Sequence, residues 1–487
     1  MRIVQTFWTA GQDPLKHAFG WLHPEYNLMS WALSCLSLRE HYDEVALYTD
    51  SEGKRILIDK LHLPYTEVNV VFDDFPCLPQ HWALAKIKTY SLQTKPFLHV
   101  DGDVYVPHPI PEVIFQTPLI AQNREIGTRY YRAMMDRLLK YSSLLLPEYI
   151  EKGMHEESVV SYNMGFLGGT DLDFIHRYCQ EVFGFMEKNR MNDPACPHST
   201  VDCNVFFEQV IFAMMADREH RTVASVLGRS MQDEGYTRGE FCDLDYYGEK
   251  PFYHILGGHK RSQAVCEMMS RSLLRIYPDC YWCIINLFPN NHFWLQPASS
   301  RTPISLSVEH CIAQYEDWLY QKGEEWKGIP PDEIFHQEQR IVMYRLLIEV
   351  DTERQNETLL ERNSHFALFQ IPVGWHPNAV KIMRNRLNFS TRIPHFDIVV
   401  RPTLHDNGLH EAAIGKLAYN IIVAIGEGNI TFGELCQKLE ECFTERIRQH
   451  PGKVRTLLIK EIEYMMYHGI LLMKEEKEIE KNIYVYP

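Results

Sequence analysis

Residues 96–106 read PFLHVDGDVYV, an apolar run that ends in two acidic residues one position apart. Runs of this composition followed by a turn are typical of buried strands. Side chains alternate along an extended chain, so Asp101 and Asp103 point to the same side, and Gly102 between them would let a ligand approach the backbone. Two neighbouring carboxylates repel each other unless a cation joins them. The stretch therefore predicts a site for Mn²⁺ or Mg²⁺, with phosphate oxygens as further ligands.

The composition is that of a folded protein, with 45% hydrophobic and 23% charged residues in a chain of 487. A chain of this length predicts two or three domains. Its 49 basic and 64 acidic residues give a net charge of −15. This charge argues against nucleic acid, or an anionic membrane, as the partner of the whole chain.

The start of the chain and its cysteines bear on its location. The first residues, MRIVQTFW, lack the basic, apolar and small-residue pattern of a signal peptide. No apolar run approaches the roughly 18 residues that a transmembrane helix needs. The twelve cysteines are scattered, as expected of reduced thiols. We therefore expect a cytoplasmic protein with no transmembrane segment.

Strand and helix patterns alternate before residue 96. In chain order they are a strand at 3–8, a helix at 27–41, a strand at 45–48, a helix at 54–61, a strand at 65–72 and a helix at 81–92. This alternation predicts an α/β fold whose mainly parallel sheet is covered by helices on both faces. Ligands of such sheets bind at the carboxyl ends of the strands, where the loops at 9–11, 50–53 and 101–103 would emerge.

Four motifs in a fixed order make the chain recognisable. They are DGD at 101–103, SYNMGFLGG at 161–169, FEQVIF at 207–212 and HILGGHK at 254–260. With them, residues 1–295 resemble the GT-A (Rossmann-like) fold of nucleotide-sugar glycosyltransferases, and the motifs are similar to those of family 8, the glycogenin-like group. The chain is also similar to uncharacterised bacterial GT-A-like proteins that share the Phe-x-His-x-Asp-Gly-Asp strand.

The resemblance implies a metal site and a diphosphate site. Asp101, Asp103 and His254 would hold Mn²⁺ or Mg²⁺. Lys260 would bind the diphosphate of a nucleotide-diphosphate sugar, with a UDP-sugar favoured, and Gly257 would let the loop approach the phosphates. As a solitary residue in an apolar run, His254 also fits a half-buried structural histidine.

Further residues are expected near the donor. The resemblance implies that Gln209, Glu208 and Asn163 lie at the reacting sugar, as donor-positioning groups or as a base. Because they end predicted strands, Thr9 and Asp50 are expected to contact the nucleotide. Ordinary helix starts and turns would account for the same residues without any ligand.

These motifs predict an enzyme that transfers a sugar from a nucleotide-diphosphate sugar to an acceptor in a metal-dependent reaction. The chain departs from family 8 at Glu208, where Asp is expected, and at Ala213, where Asn is expected. The departures leave open a nucleotide-sugar-binding or scaffolding protein that has lost the catalytic step. A nucleotidyltransferase ranks third, because residues near position 10 lack a Gly-rich, basic phosphate loop.

The composition changes after residue 295. The segment QPASSRTP at 296–303 is typical of a linker, and helical patterns follow. We therefore expect a GT-A-like domain at 1–295, a linker with helices at 296–345 and an accessory region at 346–487.

The end of the accessory region carries helical stripes. Residues 414–425 and 454–465 each carry apolar residues at helical spacing. Thr431 and Glu434 form a capping box between these two stretches, and a strand pattern follows at 470–473. This order predicts a winged-helix-like module over 410–475. It resembles the leader-peptide-binding domains of peptide natural-product enzymes, which implies a peptide or protein acceptor, although a helical packing domain gives the same stripes.

Overall fold

A computed structural model describes most of the chain, which divides into two compact units, Met1–Leu273 and Leu274–Pro487. The described residues are 1–127, 129–140, 144–153, 158–200, 203–232, 236, 241–288, 307–344, 347, 350–372, 375–389, 396–405, 408–443 and 451–474. The linker predicted at 296–303 lies outside them, so the domain boundary near residue 295 stays a prediction. None of the described helices is long and apolar enough to cross a membrane.

The first unit is built on a mixed sheet of eight strands. Its strands are β1 (Arg2–Phe7), β2 (Val45–Thr49), β3 (Glu67–Val70), β4 (Phe97–Val100), β6 (Leu119–Gly127), β7 (Val159–Gly169), β8 (Val223–Ser225) and β9 (Met231–Gln232), while β5 (Val104–Tyr105) and β10 (Tyr253–His254) form a separate pair. The order is β3-β2-β1-β4-β7-β6-β8, with β9 also beside β6. Strands β3, β2, β1 and β4 are parallel, and β7 is antiparallel to both of its neighbours. The predicted α/β class with a largely parallel sheet is confirmed.

Helices flank this sheet. They are α1 (Pro24–His41), α2 (Ser51–Lys54), α3 (Ala83–Ser91), α4 (Glu112–Phe115), α5 (Tyr130–Leu139), α6 (Glu148–Gly153), α7 (Leu172–Lys188), α8 (Ile211–Arg218) and α9 (Gln263–Ile276), the last of which runs across the division between the units. Two π-helical segments, Arg55–Lys60 and Phe206–Val210, precede or continue α-helical turns. The helices predicted at 27–41 and 81–92 are confirmed, whereas the segment predicted at 54–61 is largely π-helical.

Strand β4 is central and buried along its whole length. It pairs in parallel with β1, where Leu98 lies opposite Ile3, and antiparallel with β7, where Leu98 lies opposite Gly168. Apolar residues on both faces are typical of a central strand with layers on either side. Because β4 ends at Val100, Asp101 emerges at its carboxyl end.

The pair β5 and β10 brings distant parts of the first unit together. Strand β5 follows the Asp-Gly-Asp turn directly and runs antiparallel to β10, with His254 opposite Val104. The backbone N–H of Ile255 donates to the carbonyl of Asp103 at 3.1 Å. This pairing places His254 beside Asp103, although the two residues are far apart in the sequence.

The second unit combines helices with two small antiparallel sheets. Its helices are α10 (Pro278–Asn286), α11 (Val308–Trp326), α12 (Pro331–Ile341), α13 (Thr352–Glu357), α14 (Pro377–Arg386), α15 (Lys416–Ile425), α16 (Phe432–Leu439) and α17 (Pro451–Tyr467). Its strands are β11 (Leu359–Arg362), β12 (Ala367–Phe369), β13 (Asp397–Pro402), β14 (Leu409–Ile414), β15 (Asn429–Thr431) and β16 (Leu471–Met473). The sheets have the orders β15-β11-β16 and β12-β13-β14.

The helices and final strand predicted over 410–475 are confirmed as α15, α16, α17 and β16. Thr431 and Glu434 form the predicted capping box at the start of α16. The small sheet of this module also contains β11, which lies outside the predicted range. Ile421, Leu435 and Leu458, one from each helix, are completely buried in one apolar cluster.

Glu338 on α12 is a buried carboxylate in the second unit. Its Oε2 accepts a hydrogen bond from the Tyr281 hydroxyl at 2.7 Å, and its Oε1 accepts one from the Thr403 hydroxyl. Arg401 lies 3.6 Å away and His405 3.9 Å away. Burial alone would raise the pKa of Glu338, but His405 and Arg401, with the two hydroxyls, hold that pKa below its ordinary value.

Replacing Glu338 with Gln is expected to destabilise the full-length protein by about 3 kcal/mol at neutral pH, because one partner of a buried ion pair is lost. A carboxyl group with a lowered pKa contributes stability above its unfolded-state pKa, near about 4.3, and loses it as pH falls through the folded-state pKa. Chemical denaturation should therefore show a smaller difference between wild type and variant below about pH 4.

The matched control is Glu325→Gln, which removes a carboxylate from an exposed pair with Lys322. Its free energy of unfolding should stay within about 1 kcal/mol of wild type. If the difference caused by Glu338→Gln did not depend on pH, the assigned role of the Glu338 charge would be wrong.

Candidate metal centre

Asp101, Asp103 and His254 are the group among the described residues that could hold a metal ion. One ligand atom from each of them lies within 4.8 Å of the others. The two carboxylates stand in the turn between β4 and β5, and the Asp101 N–H donates to the Gly165 carbonyl on β7 at 3.0 Å. Pairing of β5 with β10 supplies the imidazole. The three predicted metal ligands are thus brought together.

Gln122 on β6 orients the His254 ring. Its Oε1 lies 2.6 Å from His254 Nδ1, while its Nε2 donates to Asn123 Oδ1 at 3.1 Å. Because Gln122 presents its oxygen to the ring, Nδ1 carries a proton, and in the neutral imidazole Nε2 keeps its lone pair. A hydrogen bond that fixes the tautomer and the ring direction in this way is typical of metal-binding histidines.

The geometry of these donors fits a divalent cation. His254 Nε2 faces Asp103 Oδ1 at 3.5 Å. When the imidazole is neutral both atoms are acceptors, and a cation between them would satisfy both. Two carboxylates in the same group favour a hard ion such as Mn²⁺ or Mg²⁺.

Lys86 on α3 is the buried counter-ion of Asp101. Its Nζ lies 2.8 Å from Asp101 Oδ1 and also contacts the Glu208 carboxylate. Burial by itself would lower the pKa of Lys86, but the two carboxylates raise it above its ordinary value. Burial raises the pKa of both Asp101 and Glu208, while Lys86 opposes the rise. One ammonium group is therefore shared by two carboxylates.

Lys260 has the corresponding contact with Asp103. It belongs to the 3₁₀ turn Gly257–Arg261, touches Asp103 Oδ2 and remains 23% exposed. Burial alone would raise the pKa of Asp103, but the Lys260 ammonium and, in its protonated form, the His254 ring hold that pKa well below its ordinary value. The carboxylates of the site outnumber its lysines by three to two. With a neutral imidazole, this local excess of negative charge favours an added cation.

Two glycines border the metal group, and at each position neighbouring atoms leave no room for a side chain. A Cβ on Gly102 would lie 2.5 Å from the Trp31 ring of α1. The indole therefore fills the space that a side chain at position 102 would occupy. Gly102 also lines the adjoining cleft, so the expected approach of a ligand to its backbone stays a prediction. A Cβ on Gly165 would lie 2.3 Å from Gln122 Oε1 and 2.7 Å from the His254 ring. Gly165 thus makes room for the hydrogen-bonded pair behind the metal group.

Replacing Gly165 with Ala is expected to displace the His254 ring and weaken Mn²⁺ binding on the order of 10- to 100-fold, the usual effect of disturbing such a support. Isothermal titration of the full-length protein with Mn²⁺ would measure it. The control is Gly184→Ala on α7, where a Cβ meets nothing within 4 Å. Alanine is the better helix former there, so the control should bind Mn²⁺ normally. Equal Mn²⁺ affinity in both variants would contradict the steric role of Gly165.

The metal group lines a cleft of about 1190 Å³ in the first unit. Predicted site residues that also line it are Thr9, Asn163, Glu208, Gln209, Gly257 and Lys260. Gly257 has a φ of +44°, and a Cβ there would meet no atom within 4 Å. These six predicted residues therefore share one cavity with the metal group, although their predicted ligand contacts stay predictions.

Asp50 is not among the described residues that line this cleft. Its Oδ2 accepts hydrogen bonds from the N–H and the hydroxyl of Thr9, both at 2.8 Å, and its Oδ1 accepts one from the Gly53 N–H at 2.8 Å. Asp50 thus caps α2 and holds the loop that carries Thr9. A contact between Asp50 and a nucleotide stays a prediction.

Asn163 and Gln209 make hydrogen bonds within the protein as well. Asn163 Nδ2 donates to Glu125 Oε1 at 3.1 Å, and its Oδ1 accepts from the Gly165 N–H at 3.0 Å. Gln209 Oε1 accepts from the Tyr131 hydroxyl at 2.7 Å. These bonds hold both amides in fixed orientations on the cleft wall.

Comparison with known proteins identifies a family over the N-terminal part of the chain. Residues 1–287, more than half of the chain, match the family of unknown function DUF6734. The chain belongs to DUF6734. No curated protein matches it. The DUF6734 match spans the metal group and every described residue that lines the cleft.

Several polar residues of the DUF6734 site are absent from the sequence predictions, namely Lys86, Gln122 and Glu125. A signal for Lys86 exists, because it falls on the apolar face of the helix predicted at 81–92, where a lysine needs a buried partner. Gln122 and Glu125 lie in the otherwise largely apolar strand LIAQNREIG. Buried polar residues in such a strand indicate a site, but not which partner they serve.

Proposed function

We propose that this DUF6734 chain is a glycosyltransferase that transfers a sugar from a nucleotide-diphosphate sugar in a metal-dependent reaction. The observation that carries the proposal is the group Asp101, Asp103 and His254 on the wall of a large cleft, with Lys260 beside it. Support also comes from the position of this group at the carboxyl end of a central strand, where α/β sheets bind ligands. The four ordered motifs resembling family 8 favour a GT-A fold and a UDP-sugar donor.

In this proposal one set of residues would bind the leaving diphosphate and a second set would bind the sugar. Asp101, Asp103 and His254 would hold Mn²⁺ or Mg²⁺, which when bound supplies Lewis-acid stabilisation of the leaving diphosphate. Lys260 would exchange its contact with Asp103 for the diphosphate and add a positive charge there. The open space at Gly257 would let the phosphates approach the turn closely.

The sugar would lie between the metal group and the amides of the cleft wall. Gln209 and Asn163 would position its hydroxyls, since both amides are held by protein hydrogen bonds. Glu208 would contribute indirectly, because the ion pair between its carboxylate and Lys86 holds the Lys86 side chain. Thr9, held by Asp50, would contact the nucleotide.

A binding assay and a turnover assay test the proposal together. UDP at about a hundredfold its dissociation constant should add about 2.7 kcal/mol of stability, visible as a thermal shift that requires Mn²⁺ and disappears with EDTA. A panel of UDP-sugars and GDP-sugars should then show metal-dependent release of the nucleoside diphosphate. Absence of any metal-dependent nucleotide binding would refute the proposal.

A nucleotide-sugar-binding or scaffolding protein without catalysis is the alternative proposal. It is favoured by Ala213, which occupies the position of an expected Asn and is buried in α8 rather than among the described cleft residues. Metal-dependent binding without nucleotide release or transfer, over the whole donor panel, would support this alternative. The C-terminal module would in either case serve to recruit a peptide or protein partner.

A further inference from the structure

Part of the cleft wall is not assigned to contact the donor in the function proposed above. This part, called here the aromatic half, is formed by Trp82, Glu125, Tyr130, Tyr131 and Tyr236. The cleft of about 1190 Å³ exceeds the range of about 300–1,000 Å³ that is typical of pockets for one small ligand. A second ligand would therefore fit beside one bound at the metal group.

Side-chain contacts connect the aromatic half to the metal centre. Lys86 contacts the Glu208 carboxylate. Gln209, which follows Glu208 in the sequence, accepts a hydrogen bond from the Tyr131 hydroxyl at 2.7 Å. The same hydroxyl contacts the Glu125 carboxylate. Only one step along the backbone separates the residues around Lys86 from the aromatic half, so ligands in the two parts would be neighbours.

Trp82 stands one helical turn before Lys86. Its φ of −54° and ψ of −32° are helical and lead directly into α3, so both side chains lie on one face, about 6 Å apart along the axis. Trp82 is 52% exposed, and Tyr130, on the same cleft, is 57% exposed. Large rings left exposed in a cavity wall present flat apolar surfaces to a ligand.

Glu125 is the polar centre of the aromatic half. Its carboxylate contacts the hydroxyls of Tyr131 and Tyr236 and accepts hydrogen bonds from Asn163 Nδ2 at 3.1 Å and from the Ser161 hydroxyl at 3.4 Å. These bonds fix the directions of hydroxyl, amide and carboxylate groups before any ligand binds, which lowers the entropy cost of binding. None of the five residues that form the aromatic half is a lysine or an arginine, so these described residues offer no counter-ion to an anionic ligand.

This chemistry matches a neutral carbohydrate. A sugar ring has an apolar C–H face that packs on an aromatic ring, and hydroxyls that both donate and accept hydrogen bonds. We propose that the aromatic half binds a neutral carbohydrate, with its ring against Trp82 and its hydroxyls near Glu125. That this carbohydrate is the acceptor of the transferred sugar rests on the proposed function, whereas its binding to the aromatic half does not.

The test measures carbohydrate binding directly on the full-length protein. Fluorescently labelled protein is applied to an array of immobilised neutral glycans, and the best oligosaccharide is then titrated by saturation-transfer NMR. Trp82→Leu removes the ring but keeps an apolar side chain, so affinity should fall 10-fold or more. Trp82→Phe keeps a ring and should retain most of the affinity. Val113→Ala, on α4 outside the cleft and 67% exposed in the wild type, is the control and should bind normally.

The outcomes separate this proposal from the proposed function. Trp82→Leu should keep its Mn²⁺-dependent thermal shift with UDP, since the metal group is untouched. If UDP binds but no glycan does, with or without UDP and Mn²⁺, the carbohydrate proposal fails and the donor proposal stands. If glycans bind through Trp82 but UDP does not bind at all, the donor proposal fails and the carbohydrate proposal stands. Equal glycan affinity in Trp82→Leu and wild type, or Trp82-dependent capture from a peptide array in place of glycans, would overturn the carbohydrate site.

Discussion

Replacing Asp103 with Asn is expected to reduce Mn²⁺-dependent binding of UDP on the order of 100-fold or more, since loss of a mere supporting residue already costs 10- to 100-fold. The substitution keeps the shape of the side chain but removes the charge that faces His254 Nε2 at 3.5 Å and contacts Lys260. Titration calorimetry with UDP, with and without Mn²⁺, would measure the loss, and circular dichroism would confirm the fold.

The chain offers a matched control for this variant. Asp59 forms a surface pair with Lys54 at 2.9 Å, so Asp59→Asn also removes a carboxylate from a lysine. Its UDP binding should equal that of wild type, because exposed pairs contribute little. If UDP bound to Asp103→Asn as tightly as to wild type, both with Mn²⁺ and with EDTA, the metal group would have no part in nucleotide binding.

Replacing Lys260 with Met should lower turnover of the nucleotide-sugar on the order of 100- to 1,000-fold, with a much smaller change in donor affinity. Negative charge grows on the leaving diphosphate in the transition state, and a group aimed at that charge stabilises it more than the bound donor. Comparison of kcat with the dissociation constant of the donor separates the two effects.

Lys54→Met is the corresponding control, since it removes the surface partner of Asp59 and leaves the cleft unchanged. Normal turnover is expected for this variant. A Lys260→Met protein with the turnover of wild type would remove Lys260 from the reaction, while leaving its contact with Asp103 as a structural ion pair.

The α/β class could be predicted because its signals are local. An apolar run followed by a turn predicts strand β4, and alternating strand and helix patterns predict a largely parallel sheet. Asp101 and Asp103 could be recognised for the same reason, since both follow one strand. His254 depended on resemblance, because the pairing of β5 with β10 joins residues whose local patterns do not indicate each other.

Other parts of the site depend on packing that a pattern does not encode. Lys86 resembles any helical lysine until the fold places two carboxylates around it. Gly102 lies beside two acids in the sequence, yet its neighbour in space is the ring of Trp31. Asp50 ends a strand, as a nucleotide-binding acid would, but its oxygens bind the backbone of its own loop and Thr9. Proximity in sequence is therefore a weaker guide to these roles than the register of neighbouring strands.

The burial of β4 between β1 and β7 has a consequence for how the site behaves before any ion arrives. Amide protons in the middle of such a strand exchange with solvent mainly when the whole unit opens. Asp101 continues this ladder through its bond to Gly165, so we expect its carboxylate to be carried by a slowly opening part of the fold. Binding of a cation would then require little ordering of the backbone, and its affinity would report the chemistry of the ligands rather than the folding of a loop.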